Sequence, residues 1–429
     1  MKGGYRWVKG APLPLIEDHS RAKHDVLHAY VVNYLRILAQ SPRSEGVRVT
    51  FVDGFAGGGQ YRTPAGGVVS GSPLVLLDAI NEARALVVAD RLQRGFKSPY
   101  VIDAHVHLVE TLPETHAFLT EAVRARADVR DGLTTVTIHQ GTFQAHLAAI
   151  IADTRKRQRN GRSVFVLDQY GWSKVDVGLI QQIFAQLPTS EVFLTWMIDN
   201  LANFVSEANV ESINKALGKT GLGSHLTAER LLQIKRDGTE STDQGELTWR
   251  RAIQSMMSHE IRLSSGANFC TPFYIVPQTS RRGYWLLHLS RHLRANEEMK
   301  RIHWQNNNFH HPGGAGLDML GYVGSGGQLT FDHRFDDHAR DRTLEALRDD
   351  IPRRLAAQSG PMRFGDLVAS TANDTPAQRT QLQQAVFTLA QHRELTLRTL
   401  LGSERRSAQG VADDDVIERP HQLWLLPAK

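Results

Sequence analysis

Short apolar runs alternate with longer segments of helical periodicity through the N-terminal half of the chain. Several runs are apolar at almost every position, which is typical of parallel strands that helices bury on both faces. We predict five of these strands, at 47–52, 104–110, 134–138, 163–168 and 192–198. Helices are predicted between them, most clearly at 114–127, 143–156 and 176–187. This alternation predicts an α/β fold with a doubly wound, Rossmann-like sheet.

The pattern changes along the chain and divides it into domains. Residues 1–19 are predicted to form an irregular arm, and the α/β domain is expected to cover 20–335, with a helical insertion at about 205–265. In 341–429, three amphipathic helices precede two strands, which is the order of a winged helix. Two late strands, expected to close the sheet in antiparallel fashion, lie at 273–276 and 283–289.

Composition narrows the cellular context. A single cysteine, Cys270, excludes an internal disulfide and a cysteine-based zinc site, and it fits a reducing cytosol. The first residues lack the apolar stretch of a signal peptide, and no run approaches the ~18 apolar residues of a membrane span. We therefore expect a cytoplasmic protein. The net charge of +5 permits an anionic partner without requiring one.

A glycine-rich turn follows the first strand. The segment Asp53-Gly54-Phe55-Ala56-Gly57-Gly58-Gly59 begins where the apolar run ends, and 61–71 is predicted to be a Gly/Pro-rich loop. Ligands of open α/β sheets bind at the carboxyl ends of the strands, and glycines there let the backbone approach a ligand closely. Asp53, Phe55, Gly57 and Gly59 are therefore candidate ligand-binding residues, although an ordinary flexible loop would also explain them.

Three further strand ends carry candidate chemistry. Glu110 ends the second strand, where a carboxylate can accept both hydroxyl groups of a ribose. Thr142 and Phe143 follow the third strand and would flank an adenine ring. Asp168-Gln169-Tyr170-Gly171-Trp172 follows the fourth, with an acid that would accept a hydrogen bond from an amine or act as a general base, and aromatics that would stack on a base. Structural alternatives are a solvated Glu110, a Phe143 packed in the core and an Asp168 that caps a helix.

Together these residues resemble the class I methyltransferases that bind S-adenosylmethionine. The resemblance implies that Phe55-x-Gly57-x-Gly59 is the cofactor loop and that Glu110 is the ribose carboxylate. Asp168-Gln169-Tyr170-Gly171 is similar to the fourth motif of enzymes that methylate amino groups in nucleic acids. The sequence departs from these motifs twice, with Gln169 in place of the usual proline and Thr142 in place of the acid expected at the adenine position.

A wider set of motifs resembles the three-Cys-motif partner family, over roughly residues 17–305. That family has a methyltransferase-like core, is typically encoded beside a radical-SAM-like protein that carries three cysteines, and has no established reaction. The residues that carry the resemblance are Lys23-His24, Asp53-Gly54-Phe55-Ala56-Gly57, Gly71-Ser72-Pro73-Leu74, Asp168-x-Tyr170-Gly171, Asn200 with Asn203-Phe204, and Gly283-Tyr284 followed by Met299-Lys300.

Basic residues gather in places along the chain. The run at 155–162 is interpreted as a solvated loop, whereas a later set is interleaved with aromatic residues and is a candidate for phosphate contacts. This set comprises Arg281, Arg282, Arg294, Lys300 and Arg301. In the winged helix, Arg405 and Arg406 would lie on the wing, but the predicted recognition helix holds only Arg379, which is poor for reading a major groove. The wing is therefore also a candidate for holding a protein partner.

Other chemistries find less support. His105 and His107 would share one strand face and point at the helix layer, and His310-His311 lacks ligand spacing, so no metal site is predicted. The sequence contains neither the Gly-x-Ser-x-Gly motif of hydrolases nor a phosphate-binding loop of the Gly-x4-Gly-Lys-Ser/Thr type.

The leading hypothesis is an S-adenosylmethionine-dependent methyltransferase-like enzyme that acts on an amino group of a nucleic-acid base, together with the three-cysteine partner. The cofactor would be held by Asp53, Phe55, Gly57, Gly59, Glu110, Thr142 and Phe143, and the acceptor base by Asp168, Tyr170 and Trp172. A second hypothesis is a non-catalytic module that delivers nucleic acid to the partner, which the two departures favour. A third is a nuclease or repair factor in defence against phage. The sequence leaves open DNA or RNA, the acceptor atom and the oligomeric state.

Overall fold

The computed structural model describes residues 5–169, 174–197, 201, 204–223, 226–237, 243–275, 284–305, 337–358 and 360–420. The chain divides into two compact units, Met1–Gly314 and Ala315–Lys429. Among the described residues, no helix combines the length and the apolar composition that crossing a membrane requires.

A mostly parallel sheet of seven strands organises the first unit. Its strands, in chain order, are β1 (Gly46–Asp53), β4 (Val101–Glu110), β5 (Thr135–Gln140), β6 (Ser163–Leu167), β7 (Ser190–Trp196), β8 (Phe269–Ile275) and β9 (Tyr284–Ser290). The spatial order is β5-β4-β1-β6-β7-β9-β8. Strand β9 runs antiparallel to both of its neighbours, β7 and β8, and the other pairs are parallel. The predicted α/β class is confirmed, and so is the antiparallel closure by two late strands.

One local prediction is wrong. The segment 61–71 was expected to be a loop, but β2 (Gln60–Arg62) and β3 (Val68–Ser70) pair as a small antiparallel hairpin. Gly66, with φ of +86°, supplies the turn conformation that only glycine adopts easily. The Gly/Pro content therefore marks the turn of a hairpin, since alternation over three residues is too short to predict a strand.

Helices cover the sheet, and several of them begin at a proline or at a side chain that caps the helix. Pro73 and Pro113 stand in the first turns of two helices, and the side chains of Thr142 and Asp176 cap two others by accepting backbone N–H bonds. The helices are α1 (Asp18–Leu38), α2 (Ser72–Gln93), α3 (Pro113–Arg124), α4 (Ala127–Arg130), α5 (Phe143–Arg157), α6 (Val177–Gln186), α7 (Val210–Lys219), α8 (Ala228–Asp237), α9 (Asp243–Ser265) and α10 (Leu293–Gln305). Helices α7 to α9 correspond to the predicted helical insertion.

The core of the first unit lies on both faces of the sheet. Every residue of β6 and β7 is buried, as their continuous apolar runs predicted. Helices α5, α6 and α9 share one core with Phe165, Leu167 and Leu194 of the sheet, while α1 packs with α2 and α10. Each large aliphatic or aromatic side chain buried here contributes about 1.5–3 kcal/mol of transfer free energy.

The second unit has the elements of a winged helix. It consists of α11 (Asp337–Ala357), β10 (Met362–Arg363), α12 (Phe364–Thr371), α13 (Arg379–Gln391), β11 (Thr396–Arg398) and β12 (Val416–Glu418). The three strands form an antiparallel sheet in the order β10-β12-β11. A capping box between Gln378 and Gln381 fixes the start of α13. The predicted three helices and hairpin are thus present, with shorter strands than expected.

A buried polar network joins α1 to the sheet. The Tyr30 hydroxyl donates to Glu191 Oε2, and His288 Nε2 lies 3.0 Å from the same oxygen. All three side chains are buried. Burial, followed by the charge of Glu191, raises the pKa of Tyr30 well above its usual value, so the phenol remains a donor at any physiological pH. A buried carboxylate is expensive unless it is hydrogen-bonded, so this network should matter for stability.

We predict that Tyr30→Phe lowers the free energy of unfolding by about 1–3 kcal/mol, because Glu191 loses a donor that water cannot replace. Urea denaturation followed by tryptophan fluorescence measures this, since every tryptophan except Trp424 belongs to the first unit. Tyr34→Phe is the matched control, because Tyr34 stacks on Tyr30 in the same helix. Equal losses in the two variants would contradict a specific role for the bond to Glu191.

Candidate functional site

Three carboxylates meet at one edge of the sheet. Asp53 is the last residue of β1, Glu110 is the last residue of β4, and Asp168 comes directly after β6. Strand β1 lies between β4 and β6, and Asp53 is in register with Leu108 and Val166. The parallel direction of the three strands therefore brings the carboxylates to the same edge, as the sequence predicted.

Glu110 holds the glycine turn in place. Its Oε2 accepts a hydrogen bond from the backbone N–H of Gly57 at 3.0 Å, and its Oε1 accepts one from the N–H of Leu112 at 2.7 Å. Gly57 and Gly59 have φ angles of +60° and +79°, a backbone conformation that favours glycine. Glu110 therefore has a structural role in this structure besides the ligand-binding role predicted for it.

The N-terminal arm packs over the same turn. A Cβ atom added to Gly58 would lie 2.1 Å from Trp7 Cγ, so only glycine permits this approach. Trp7 is buried, its indole N–H donates to the carbonyl oxygen of Gln60, and its ring makes an edge contact with Tyr61. The arm was expected to be irregular, and sequence reasoning gave no signal for this contact.

Asp53 lies beneath the turn and is fully buried. Its Oδ1 accepts the backbone N–H of Phe55 at 3.1 Å, and its Oδ2 is buried without a hydrogen-bond partner. Burial raises the pKa of Asp53 to about 7, although hydrogen bonds from the Ser72 hydroxyl and Phe55 oppose the rise. Near neutral pH the carboxyl group is therefore poised between its two protonation states.

Asp168 forms an ion pair with Lys23 of α1. Lys23 Nζ lies 2.5 Å from Asp168 Oδ2, and the two side chains are 12% and 27% exposed. Burial by itself would raise the pKa of Asp168, but the charge and hydrogen bond of Lys23 outweigh it and lower that pKa. Asp168 is therefore an ionised hydrogen-bond acceptor at neutral pH and a weak base.

His24 adds a neutral polar group beside this pair. Burial, followed by the charge of Lys23, lowers the pKa of His24 to about 4, and its Nδ1 has no hydrogen-bond partner. An unpaired buried nitrogen of this kind is available to a ligand.

A small, partly open cleft lies beside the Lys23–Asp168 pair. It is lined by Lys23, His24, Leu27, Ser72, Val166, Asp168, Phe193, Thr195 and Leu286. Asp53 and Glu110 are not among these lining residues, whereas Ser72, which is close to Asp53, is. In the sequence, Lys23, His24 and Ser72 could be identified only through the motifs that resemble the three-Cys-motif partner family. Nothing in the sequence marked Thr195 as a site residue, since it lies inside a continuously apolar strand.

The other predicted cofactor residues have structural roles. Phe143 is 4% exposed and packs in the core against Phe165. Core packing was the alternative to a position beside an adenine ring. Thr142 caps α5 by accepting the N–H of Ala145. Phe55 is partly buried, with its ring centroid 6.5 Å from that of Phe143.

The segment after Asp168 is only partly described. Tyr170 and Trp172 lie outside the described residues. The buried Gln169, which replaces the usual proline, accepts the backbone N–H groups of Lys174 and Val175, both at 2.9 Å. Gln169 therefore ties the two ends of this segment together.

The predicted phosphate-binding set is not a single surface patch. Lys300 is 4% exposed, so its ammonium group is not presented to a phosphate. Arg301 is paired with Glu298 of its own helix, whereas the exposed Arg294 donates to Gln40 Oε1 at 3.0 Å. Arg281 and Arg282 lie outside the described residues. The helical period of α10 explains the outcome, because it places Lys300 on the buried side of the helix.

Comparison with known proteins bears on the second unit. Residues 325–401 match the family described as "GMT-like wHTH domain". No curated protein matches the chain. The family match agrees with the helices and antiparallel strands described above, and the predicted winged helix is confirmed.

We predict that Lys23→Met destabilises the protein at neutral pH by about 1–3 kcal/mol, since it leaves the Asp168 carboxylate without its countercharge. A pKa that is lower in the folded state stabilises that state above the ordinary aspartate value of roughly 4, and this contribution is lost as the pH falls through the folded pKa. The difference between wild type and Lys23→Met should therefore shrink on acidification.

Urea denaturation between neutral and acidic pH measures this difference. Lys9→Met is the control, because Lys9 pairs with Glu121 at 3.0 Å on the open surface, where such pairs contribute about 0–1 kcal/mol. A difference between wild type and Lys23→Met that does not change with pH would contradict the assigned ion pair.

Proposed function

We propose that the first unit binds S-adenosylmethionine at the carboxyl ends of β1, β4 and β6. We further propose that it is a methyltransferase-like protein that methylates an amino group of a nucleic-acid base. The observation that carries the proposal is that Asp53, Glu110 and Asp168 end three neighbouring strands at one edge of the sheet, where Glu110 holds the glycine turn and Asp168 lines a cleft. Ligands of open α/β sheets bind at this edge, where strand order reverses. Here the reversal lies between β1 and β6.

The sheet topology supports the same proposal. The class I methyltransferases, which the sequence resembles, have a mostly parallel sheet in which the last strand is inserted antiparallel next to the fifth parallel strand. The strand in the corresponding place here is β7. In this chain β9 is the last strand of the sheet and lies antiparallel between β7 and β8. A plain doubly wound sheet has no such insertion, so this detail favours the methyltransferase-like interpretation over a generic nucleotide-binding fold.

The cofactor would be held by groups that retain unused hydrogen-bonding capacity. Glu110 accepts one backbone bond on each oxygen, and because a carboxylate oxygen accepts two, each has room for a ribose hydroxyl. Asp53 Oδ2 has no partner, and the Ser72 hydroxyl that bonds Asp53 also lines the cleft. The bound cofactor would supply an electrophilic methyl group.

The acceptor amine would face Asp168. An ionised carboxylate accepts hydrogen bonds from an exocyclic amine and so orients the nitrogen lone pair towards the methyl group. Since an exocyclic amine inside a duplex is paired, the base would have to be single-stranded or flipped. The winged helix supports a nucleic-acid substrate, as this class of domain commonly docks on DNA.

A second candidate is a non-catalytic module that binds nucleic acid and serves the radical-SAM-like partner with three cysteines. The observation that favours it is the ion pair of Asp168 with Lys23, which occupies Asp168 Oδ2. Gln169, whose side chain is already engaged with the backbone of Lys174 and Val175, favours it too. In this function the cleft would bind a cofactor or base without transferring a methyl group.

We predict that S-adenosylmethionine binds the wild-type chain with measurable heat in calorimetric titration. Loss of charged hydrogen bonds costs about 1.5–3 kcal/mol, so Asp53→Ala and Glu110→Ala should weaken binding roughly 10- to 100-fold. Glu114→Ala is the control, since Glu114 is exposed in the first turn of α3. Circular dichroism checks the folding of each variant. An absence of heat with the wild type across buffers would rule out the cofactor.

We further predict that methyl transfer from labelled S-adenosylmethionine to mixed DNA and RNA depends on Asp168. Asp168→Asn should lower the transfer rate at least 100-fold, because an amide presents its NH₂ group as well as an acceptor and carries no charge. Cofactor affinity should change much less. Binding without transfer by the wild type, with chemistry appearing only when the three-cysteine partner is added, would decide for the non-catalytic module.

A further inference from the structure

A second polar cluster lies on the same unit, away from the cleft. His105 and His107 point from β4 to the face covered by α5, which contributes Asp153. The two histidines are 6% and 3% exposed, whereas the Asp153 side chain is 38% exposed. His107 precedes Glu110 by three residues, or about 10 Å along a strand. The cluster is therefore separate from the proposed cofactor site.

The three side chains converge on one point. Asp153 Oδ2 lies 3.0 Å from His105 Nδ1 and 3.2 Å from His107 Nε2. One ligand atom from each residue lies within 4.8 Å of the other two. Two ligands that share an ion at roughly 2.0–2.1 Å are themselves about 3.0–3.4 Å apart. The two distances between the histidines and Asp153 thus already match what a common metal ion requires.

The two histidines contact Asp153 differently. His107 Nε2 has hydrogen-bond geometry towards Asp153 Oδ2, whereas His105 Nδ1 is close to the same oxygen without that geometry. In the tautomer of His105 whose Nε2 proton is donated to Thr137, Nδ1 carries a lone pair that faces the carboxylate oxygen, and a cation between the two atoms would be attracted by both.

The outer nitrogens of both histidines are held as in metal sites. His105 Nε2 lies 2.9 Å from Thr137 Oγ1, and His107 Nδ1 lies 3.0 Å from His139 Nε2. Metal-ligating histidines usually engage their second nitrogen in this way, which fixes the tautomer and the ring orientation. The neighbouring strand β5 supplies both partners, so the sheet orients the ligands before any metal binds.

We propose that His105 Nδ1, His107 Nε2 and Asp153 Oδ2 form a binding site for one divalent first-row transition-metal ion, which links β4 to α5. Two imidazoles and one carboxylate suit Zn²⁺ and its neighbours in that row better than Mg²⁺ or Ca²⁺, which prefer oxygen ligands. The exposed part of Asp153 gives the ion an entry route and leaves a position for water. The proposal is independent of S-adenosylmethionine binding.

Titration of the full-length, chelator-treated chain with ZnCl₂ tests the proposal. We expect saturation at one ion per chain, a rise in melting temperature on Zn²⁺ addition, and a visible ligand-field absorption when Co²⁺ is used instead. Asp153→Asn and His107→Asn should each weaken Zn²⁺ binding at least tenfold, while His28→Asn, which alters a lone surface pair with Glu82, should leave it unchanged.

Asp153→Asn keeps the size and shape of a partly exposed side chain, so this variant is expected to fold. A loss of Zn²⁺ binding in it would therefore reflect the lost ligand. Wild-type protein that takes up no Zn²⁺ stoichiometrically would overturn the proposal. Uptake that Asp153→Asn and His28→Asn affect equally would also overturn it, since the ion would then bind elsewhere. Competition by excess MgCl₂ at millimolar concentration should have little effect, and full displacement would contradict the assigned ligand chemistry.

Discussion

A parallel sheet that is buried on both faces leaves few positions for polar chemistry, and this constraint governs the first unit. Along β6 and β7 every side chain is buried, so charged groups can reach solvent or a ligand only where the strands end. Asp53, Glu110 and Asp168 occupy such ends. The glycine turn is held by one of them, Glu110, and the cleft is lined by another, Asp168.

The constraint also explains why much of the fold could be predicted from the sequence. Apolar runs located the strands, and the residue after each run located the edge carboxylates, because both follow from local patterns. Contacts between distant segments could not be predicted in the same way. Lys23 meets Asp168 across 145 positions, and Trp7 meets the glycine turn through an aromatic packing that no periodicity records. Lys300 shows that a local property can also mislead. Its charge predicted a surface position, but the side chain is buried.

Two carboxylates contact polar side chains of the sheet in different ways: Glu191 is buried in β7, whereas Asp153 is a partly exposed residue of α5. Glu191 interacts with Tyr30 and His288, both with hydrogen-bond geometry. Asp153 has two imidazole nitrogens within reach, yet only His107 has that geometry. The first arrangement is complete as a stabilising network. The second leaves one short contact without that geometry, between His105 Nδ1 and Asp153 Oδ2, which is where the proposed ion would bind.

Electrostatics within the cleft bears on which ligand it takes. Lys23 and Asp168 neutralise each other, and His24 is neutral because burial and Lys23 depress its pKa. The adjustable charge is Asp53, whose pKa of about 7 means that a nearby cation would favour its ionised form. The sulfonium and ammonium groups of the proposed cofactor would favour that ionisation, whereas its carboxylate, like a nucleoside phosphate, would oppose it.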